Sequence, residues 1–208
     1  MIIVVEGISA AGKTTFTRRV AADLCIPEFE TDGSPPPPDA PVDEHAQFWV
    51  EHNARRFQAA LGMEARRGVA LCDTDPLKSH FDWCRARAGF TSMDLFDHSV
   101  PLLRKAINDG RLGFADRYLV KRIAPEVARA QKEGDATRSR RNFEMHLALQ
   151  PHLIDWFTAL SKALPGQVVF GWPEPEELAQ ALDAETPEAS PRRFDVSVLD
   201  ALLAELPD

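Results

Sequence analysis

Ile2-Ile3-Val4-Val5-Glu6-Gly7-Ile8-Ser9-Ala10-Ala11-Gly12-Lys13-Thr14-Thr15-Phe16 restricts the fold of this chain more than any other stretch. The β-branched run suits a strand buried on both faces, and Phe16, Val20, Ala21 and Leu24 recur at helical spacing. Between strand and helix, Gly7 to Thr14 fits GxxxxGK[ST], a loop whose backbone N–H groups wrap phosphate oxygens. Gly7 and Gly12 permit backbone angles and close approaches that a Cβ would block. The expected phosphate contacts come from Gly7, Ser9, Ala10, Ala11, Gly12, Lys13, Thr14 and Thr15. Lys13 adds a point charge, Thr14 offers a hydroxyl to Mg²⁺, and the helix amino terminus favours an anion.

At 208 residues the chain suits a single α/β domain with one core. A net charge of −8 argues against broad binding to nucleic acid. No apolar run is long enough to span a membrane, and the first apolar residues are the strand itself rather than a leader, so a cytoplasmic protein is expected. Cys25, Cys72 and Cys84 form no CxxC pair, which suggests buried free thiols and neither a disulfide framework nor a zinc site. The oligomeric state stays open, with a homodimer among the options.

Further strands are expected at Ile26 to Thr31, Val69 to Cys72, Gly113 to Val120 and Gln167 to Phe170. A proline-rich spacer covers residues 34–41, and a long helix runs from Asp43 to Arg67, with Gly68 as its stop. Helices follow at Leu77 to Arg87 and Met93 to Asn108, then a basic, mostly helical segment from Pro125 to Leu164. The tail reads as acidic loops and a last amphipathic helix carrying Phe194, Val198, Leu199, Leu202, Leu203 and Leu206. Alternation of strands with helices predicts five parallel strands with helices on both faces. The third strand delivers Asp73 to its carboxyl end, where ligands of open α/β sheets bind.

The order of elements from Met1 to Phe170, and Gly7 to Thr15 specifically, resembles the P-loop kinases of nucleosides, nucleotides and related small molecules. That resemblance implies a three-layer P-loop kinase fold, ATP and Mg²⁺ as cofactors, and a lid within about residues 126–145. It implies an acid after the third strand, matched by Asp73, and lid arginines, for which Arg138 and Arg141 are the candidates beside Arg140. Phosphoryl transfer rests on positioning and charge neutralisation. Lys13, Mg²⁺ and the lid would supply positive charge, and a carboxylate would orient the attacking hydroxyl.

The general base is left open. Asp73 can be the base or a metal-side carboxylate beside Thr14; Asp75 competes, with capping of the next helix as its structural alternative. Asp32 would be the base if this chain follows the chloramphenicol kinase group, and a turn residue otherwise. Asp73 is followed by Thr74, where many nucleoside and thymidylate kinases carry arginine, so the acceptor class is open. Asp116-Arg117-Tyr118 resembles a thymidylate kinase triplet, but strand order favours strand-end or surface polarity for Asp116. His80 and Trp83 are candidates for the acceptor pocket, whereas the spacing of Trp49 and Phe57 favours the core. The expected activity is transfer of the γ-phosphoryl group of ATP to a small hydroxyl or phosphate acceptor, a nucleoside, nucleotide or antibiotic-like product. A P-loop ATPase or nucleotide-binding regulatory protein is the alternative of another class. The chain has no [NT]KxD or DxxG segment of a GTPase.

Overall fold

The computed structural model describes residues 1–28, 34–133, 142–184 and 189–207. Strands β1 (Ile2–Glu6), β2 (Cys25–Ile26), β3 (Ala70–Asp73), β4 (Arg117–Val120) and β5 (Val168–Phe170) form one parallel sheet in the order β2-β3-β1-β4-β5. From β1 the chain lays down β2 and β3 on one side, then crosses to add β4 and β5 on the other. Strand order therefore reverses around β1, and a crevice opens beyond its carboxyl end.

Successive side chains of a strand face opposite sides of the sheet, and both sides of β1 are covered. Ile2 and Val4 pack with Cys72, Tyr118 and Val120 beneath α2 (Val42–Arg67), α3 (Ser79–Arg87), α4 (Asp94–Asn108), α6 (Phe143–Ala163) and α8 (Val196–Ala204). Ile3 and Val5 pack with Leu71 and Leu119 against α1 (Lys13–Ala21) and α7 (Pro175–Ala184), through Phe16, Val20 and Leu178. A further helix, α5 (Pro125–Glu133), follows β4 and buries Ala128. The expected α/β architecture of five parallel strands with helices on both faces is present. No described helix is long and apolar enough to cross a membrane.

Three boundaries differ from the sequence expectation. β2 holds only two residues because Pro27 has no N–H to continue the ladder, so the chain leaves the sheet before Glu28. β4 begins at Arg117 because Phe114 N–H is drawn off to Arg193 O, 2.8 Å away. The tail contains α7 where acidic loops were expected. Pro175 starts that helix without losing a ladder bond, Glu176 and Glu177 face its positive end, and Leu178 and Ala179 pack toward α1.

Asp116 is a buried fastener at the amino end of β4 rather than surface polarity. Its carboxylate accepts from Ile2 N at 2.6 Å and Ser190 N at 2.7 Å, and it pairs with Arg193. Arg193 also makes a bidentate pair with Glu64 of α2, at 2.6 and 2.7 Å. This cluster ties the tail to the end of the sheet opposite the Gly7 to Thr14 loop. Replacing one partner of a buried pair leaves the other charge uncompensated, so Arg193→Met should lower unfolding stability by about 3–5 kcal/mol. Denaturant unfolding checks this; a change below about 1 kcal/mol would place the cluster outside the forces that hold the fold.

Candidate active site

The loop closes as its sequence requires. Gly7 sits at φ +156°, and a Cβ there would lie 3.0 Å from Ala11 Cβ and 3.2 Å from Lys121 O. Gly12, at φ +92°, sets the amino end of α1. Ala10 holds φ +68° without being glycine, a conformation that costs roughly 1–2 kcal/mol and is kept where surrounding contacts impose it. No side chain caps α1 and no acid lies in its first turn, so its leading N–H groups are open to an anion. Lys13 Nζ folds back over the loop, donating to Gly7 O at 2.6 Å and less closely to Ile8 O at 3.4 Å.

Thr14 Oγ1 donates to Asp73 Oδ2 at 2.5 Å, joining the start of α1 to the end of β3. The other oxygen of Asp73 is buried without a protein partner among the described residues. Burial pushes the Asp73 carboxyl up, against the Thr14 bond and the nearby Lys13 charge. A hydroxyl and a carboxylate with a free oxygen, beside amides suited to phosphate, fit a magnesium-bearing triphosphate. Among the described residues no three His, Cys, Asp or Glu side chains converge as a metal cage. A divalent ion here would complete its shell from phosphate and water, as Mg²⁺ usually does.

Two cavities meet at this loop. A broad groove of about 1030 Å³ runs along residues 8–16 and continues past Lys121 to Trp172 and Pro173. Behind it lies a smaller cavity of about 150 Å³, walled by Thr74, His80, Phe81, Cys84, Leu149 and Leu153. Ile8, Lys13, Glu28 and His146 line both. Lys13 and Glu28 thus bring an ammonium and a carboxylate to the junction.

Sequence reasoning missed Glu28. It placed the acid after the second strand at Asp32 because the strand was read through to Thr31; with β2 ending before Pro27, the first acid beyond it is Glu28. Pro27 was the signal that could have found it. Glu28 pairs with Lys78 Nζ at 2.5 Å. Burial alone would raise its carboxyl, but Lys78 and Lys13 outweigh that and hold it down to about 2. Asp32, Arg138, Arg140 and Arg141 lie outside the described residues.

The other candidates separate. His80 lines the inner cavity, and burial, with Lys78 and Lys13 nearby, pushes its imidazole down to about 3, so it is neutral. Trp83 lines neither cavity and packs in the core against Trp156 and His152. Phe57 is also core, with no exposure, while Trp49 packs beside Phe48 and His52. Asp75 lines neither cavity; its Oδ1 accepts from Leu77 N at 3.0 Å in the turn before α3, and burial raises it to about 7. Thr74, between the two aspartates, holds φ +75°, an outlier for a β-branched residue.

His80 has a pH signature. The unfolded chain takes up a proton on it below its ordinary 6.5, whereas the folded protein does so only near 3. Its contribution is therefore complete above pH 6.5 and is lost as the pH falls toward 3. Going from pH 7.5 to 5, wild type should lose about 2 kcal/mol more stability than His80→Gln. Urea unfolding of both proteins at the two pH values measures this, and a constant difference between them would mean that His80 is not held neutral.

No family model matches the chain, and no curated protein matches it. Among solved structures, one described as the crystal structure of NadR protein in complex with NR aligns with a TM-score of 0.48 and 20% identity, over 88% of this chain and 50% of that one. The chain thus spans about half the length of that protein.

Proposed function

We propose that the chain is an ATP-dependent phosphotransferase that moves the γ-phosphoryl group to a hydroxyl of a small acceptor. The observation that carries this reading is the junction of the loop groove with the inner cavity at Lys13 and Glu28. A protein that only held or hydrolysed a nucleotide needs the groove; a second walled space opening onto the same lysine gives room for an acceptor.

In this reading the loop amides and Lys13 hold the donor phosphates, and Thr14 with Asp73 holds Mg²⁺. When bound, the ion supplies positive charge beside the phosphates. Glu28 orients the acceptor hydroxyl and takes its proton as the new oxygen–phosphorus bond forms and the bond to the leaving diphosphate breaks. A carboxylate held near 2 is a weak base, yet a loose transition state leaves the hydroxyl proton in place until late, so orientation matters more than basicity. Apolar Phe81, Leu149 and Leu153 would pack against the body of the acceptor, and Trp172 and Pro173, which line the outer groove, would offer a surface to the nucleoside of the donor.

The test is a panel of nucleosides, nucleotides and hydroxylated antibiotics incubated with protein, ATP and Mg²⁺, followed by mass. One or more acceptors should gain a single phosphoryl group while ATP consumption without acceptor stays negligible. Equal ATP loss with and without every acceptor would favour an ATPase.

A further inference from the structure

The turn at the end of β3 is held from both sides by two buried ionisable side chains, Glu6 and Arg56, that sequence reasoning did not single out. Glu6, the last residue of β1, accepts from Gly7 N through Oε1 at 2.9 Å and from Asp75 N through Oε2 at 3.0 Å. It thereby gathers N–H groups of the phosphate loop and of the β3 turn onto one carboxyl group. Arg56, on α2, does the reverse with carbonyls. Its Nη2 donates to Asp73 O and Thr74 O, both at 3.1 Å, Nη1 to Asp75 O at 3.4 Å, and Nε to Pro27 O at 3.2 Å. One turn earlier on the same helix, Asn53 donates to Leu77 O at 3.2 Å.

We propose that Arg56 and Glu6 are a positioning pair that fixes the phosphate loop, Asp73 and Glu28 relative to one another. Arg56 lines neither cavity and is 6% exposed, so it acts only through the groups it holds. Those groups are the carbonyl of Asp73 itself, the strained Thr74 beside it, and Pro27, which immediately precedes Glu28. The planar fork of a guanidinium can reach carbonyls of two separate segments at once, which neither an ammonium nor an apolar side chain reproduces. Burying a charge that faces carbonyls and makes no carboxylate pair among the described residues is expensive, and an apolar residue would seat α2 on the sheet at less cost. Such strained turns persist only where the surroundings over-determine them. Here Val5 O, Glu6 and Arg56 together do so, since Thr74 N also donates to Val5 O at 3.0 Å.

The kinetic part rests on the phosphotransferase reading; the structural part does not. Arg56→Gln and Arg56→Lys are compared with wild type in kcat, in Kd for Mg²⁺ with the β,γ-methylene analogue of ATP, and in amide exchange of Thr74 and Asp75. Displacement of a reacting group by about 1 Å can cost about a hundredfold. Arg56→Gln should therefore lose about that much kcat while its analogue affinity stays within about threefold, and Arg56→Lys, which keeps the charge, should recover part of the loss. Exchange at Thr74 and Asp75 should quicken in both variants while β4 amides stay as slow as in wild type. Should Arg56→Gln fail to fold, Arg56→Lys is judged by the same criteria. Unchanged kcat and unchanged exchange overturn the proposal, and so does an affinity loss equal to the loss of kcat, because that is what general collapse of the loop would give. If wild type transfers phosphate to no acceptor, the phosphotransferase reading fails, and exchange at Thr74 and Asp75 still decides whether the pair holds the turn.

Discussion

Lys13→Ala should lower turnover by about a thousandfold, in line with losing one preorganised charge at a transferring phosphoryl group. Lys13 lines both the loop groove and the inner cavity, and it is already drawn over the loop by the carbonyls of Gly7 and Ile8. Its placement is therefore set before any ligand arrives. The same substitution should weaken Mg-ATP binding, since the ground-state phosphates lose that charge as well. Lys13→Arg should restore little, because a planar fork is wider than a point charge and does not reproduce the close approach of an ammonium to phosphate oxygens. Stability should hardly change, as Lys13 is only partly buried and its two bonds are to carbonyls of its own loop. Steady-state kinetics with calorimetry of Mg-ATP separates the two effects; wild-type turnover in Lys13→Ala would remove the loop from the chemistry.

Glu28→Gln should cost about a hundredfold to ten-thousandfold in kcat while leaving the KM for ATP within about threefold. The substitution keeps shape and removes charge, so it tests the carboxylate itself. Because the Glu28 carboxyl is held at about 2, its base form is present throughout the range above that value and lost only as the pH falls through it. Wild-type turnover should therefore show no acid limb attributable to Glu28 between pH 5 and 8. A variant with undiminished kcat would move the base to another carboxylate. If kcat instead falls in step with ATP affinity, Glu28 serves the donor side.

The parts of the fold that rest on local chemistry could be read from the chain. Ile2 to Val5, the glycine loop, the long helix ending at Gly68 and the third strand delivering Asp73 all follow from periodicity and backbone requirements within a few residues of each other. What could not be read depends on partners far apart in sequence. Asp116 meets Arg193 across 77 positions, and nothing near Asp116 signals that burial. Arg56 bonds to carbonyls, which carry no residue identity, so no pattern announces it. Glu28 was hidden by a strand taken to be longer than Pro27 allows. His80 and Trp83 sit three residues apart on one helix, yet only His80 reaches the cavity, because the packing of α6 against α3 decides which of the two faces it.

The most direct test of the central claim is a single-turnover reaction with excess protein, γ-labelled ATP, Mg²⁺ and an acceptor that gained mass in the panel. Label should leave ATP and appear on the acceptor, with little in inorganic phosphate, and Glu28→Gln should slow that appearance. Label found wholly in inorganic phosphate, at the same rate whether or not the acceptor is present, would contradict the account.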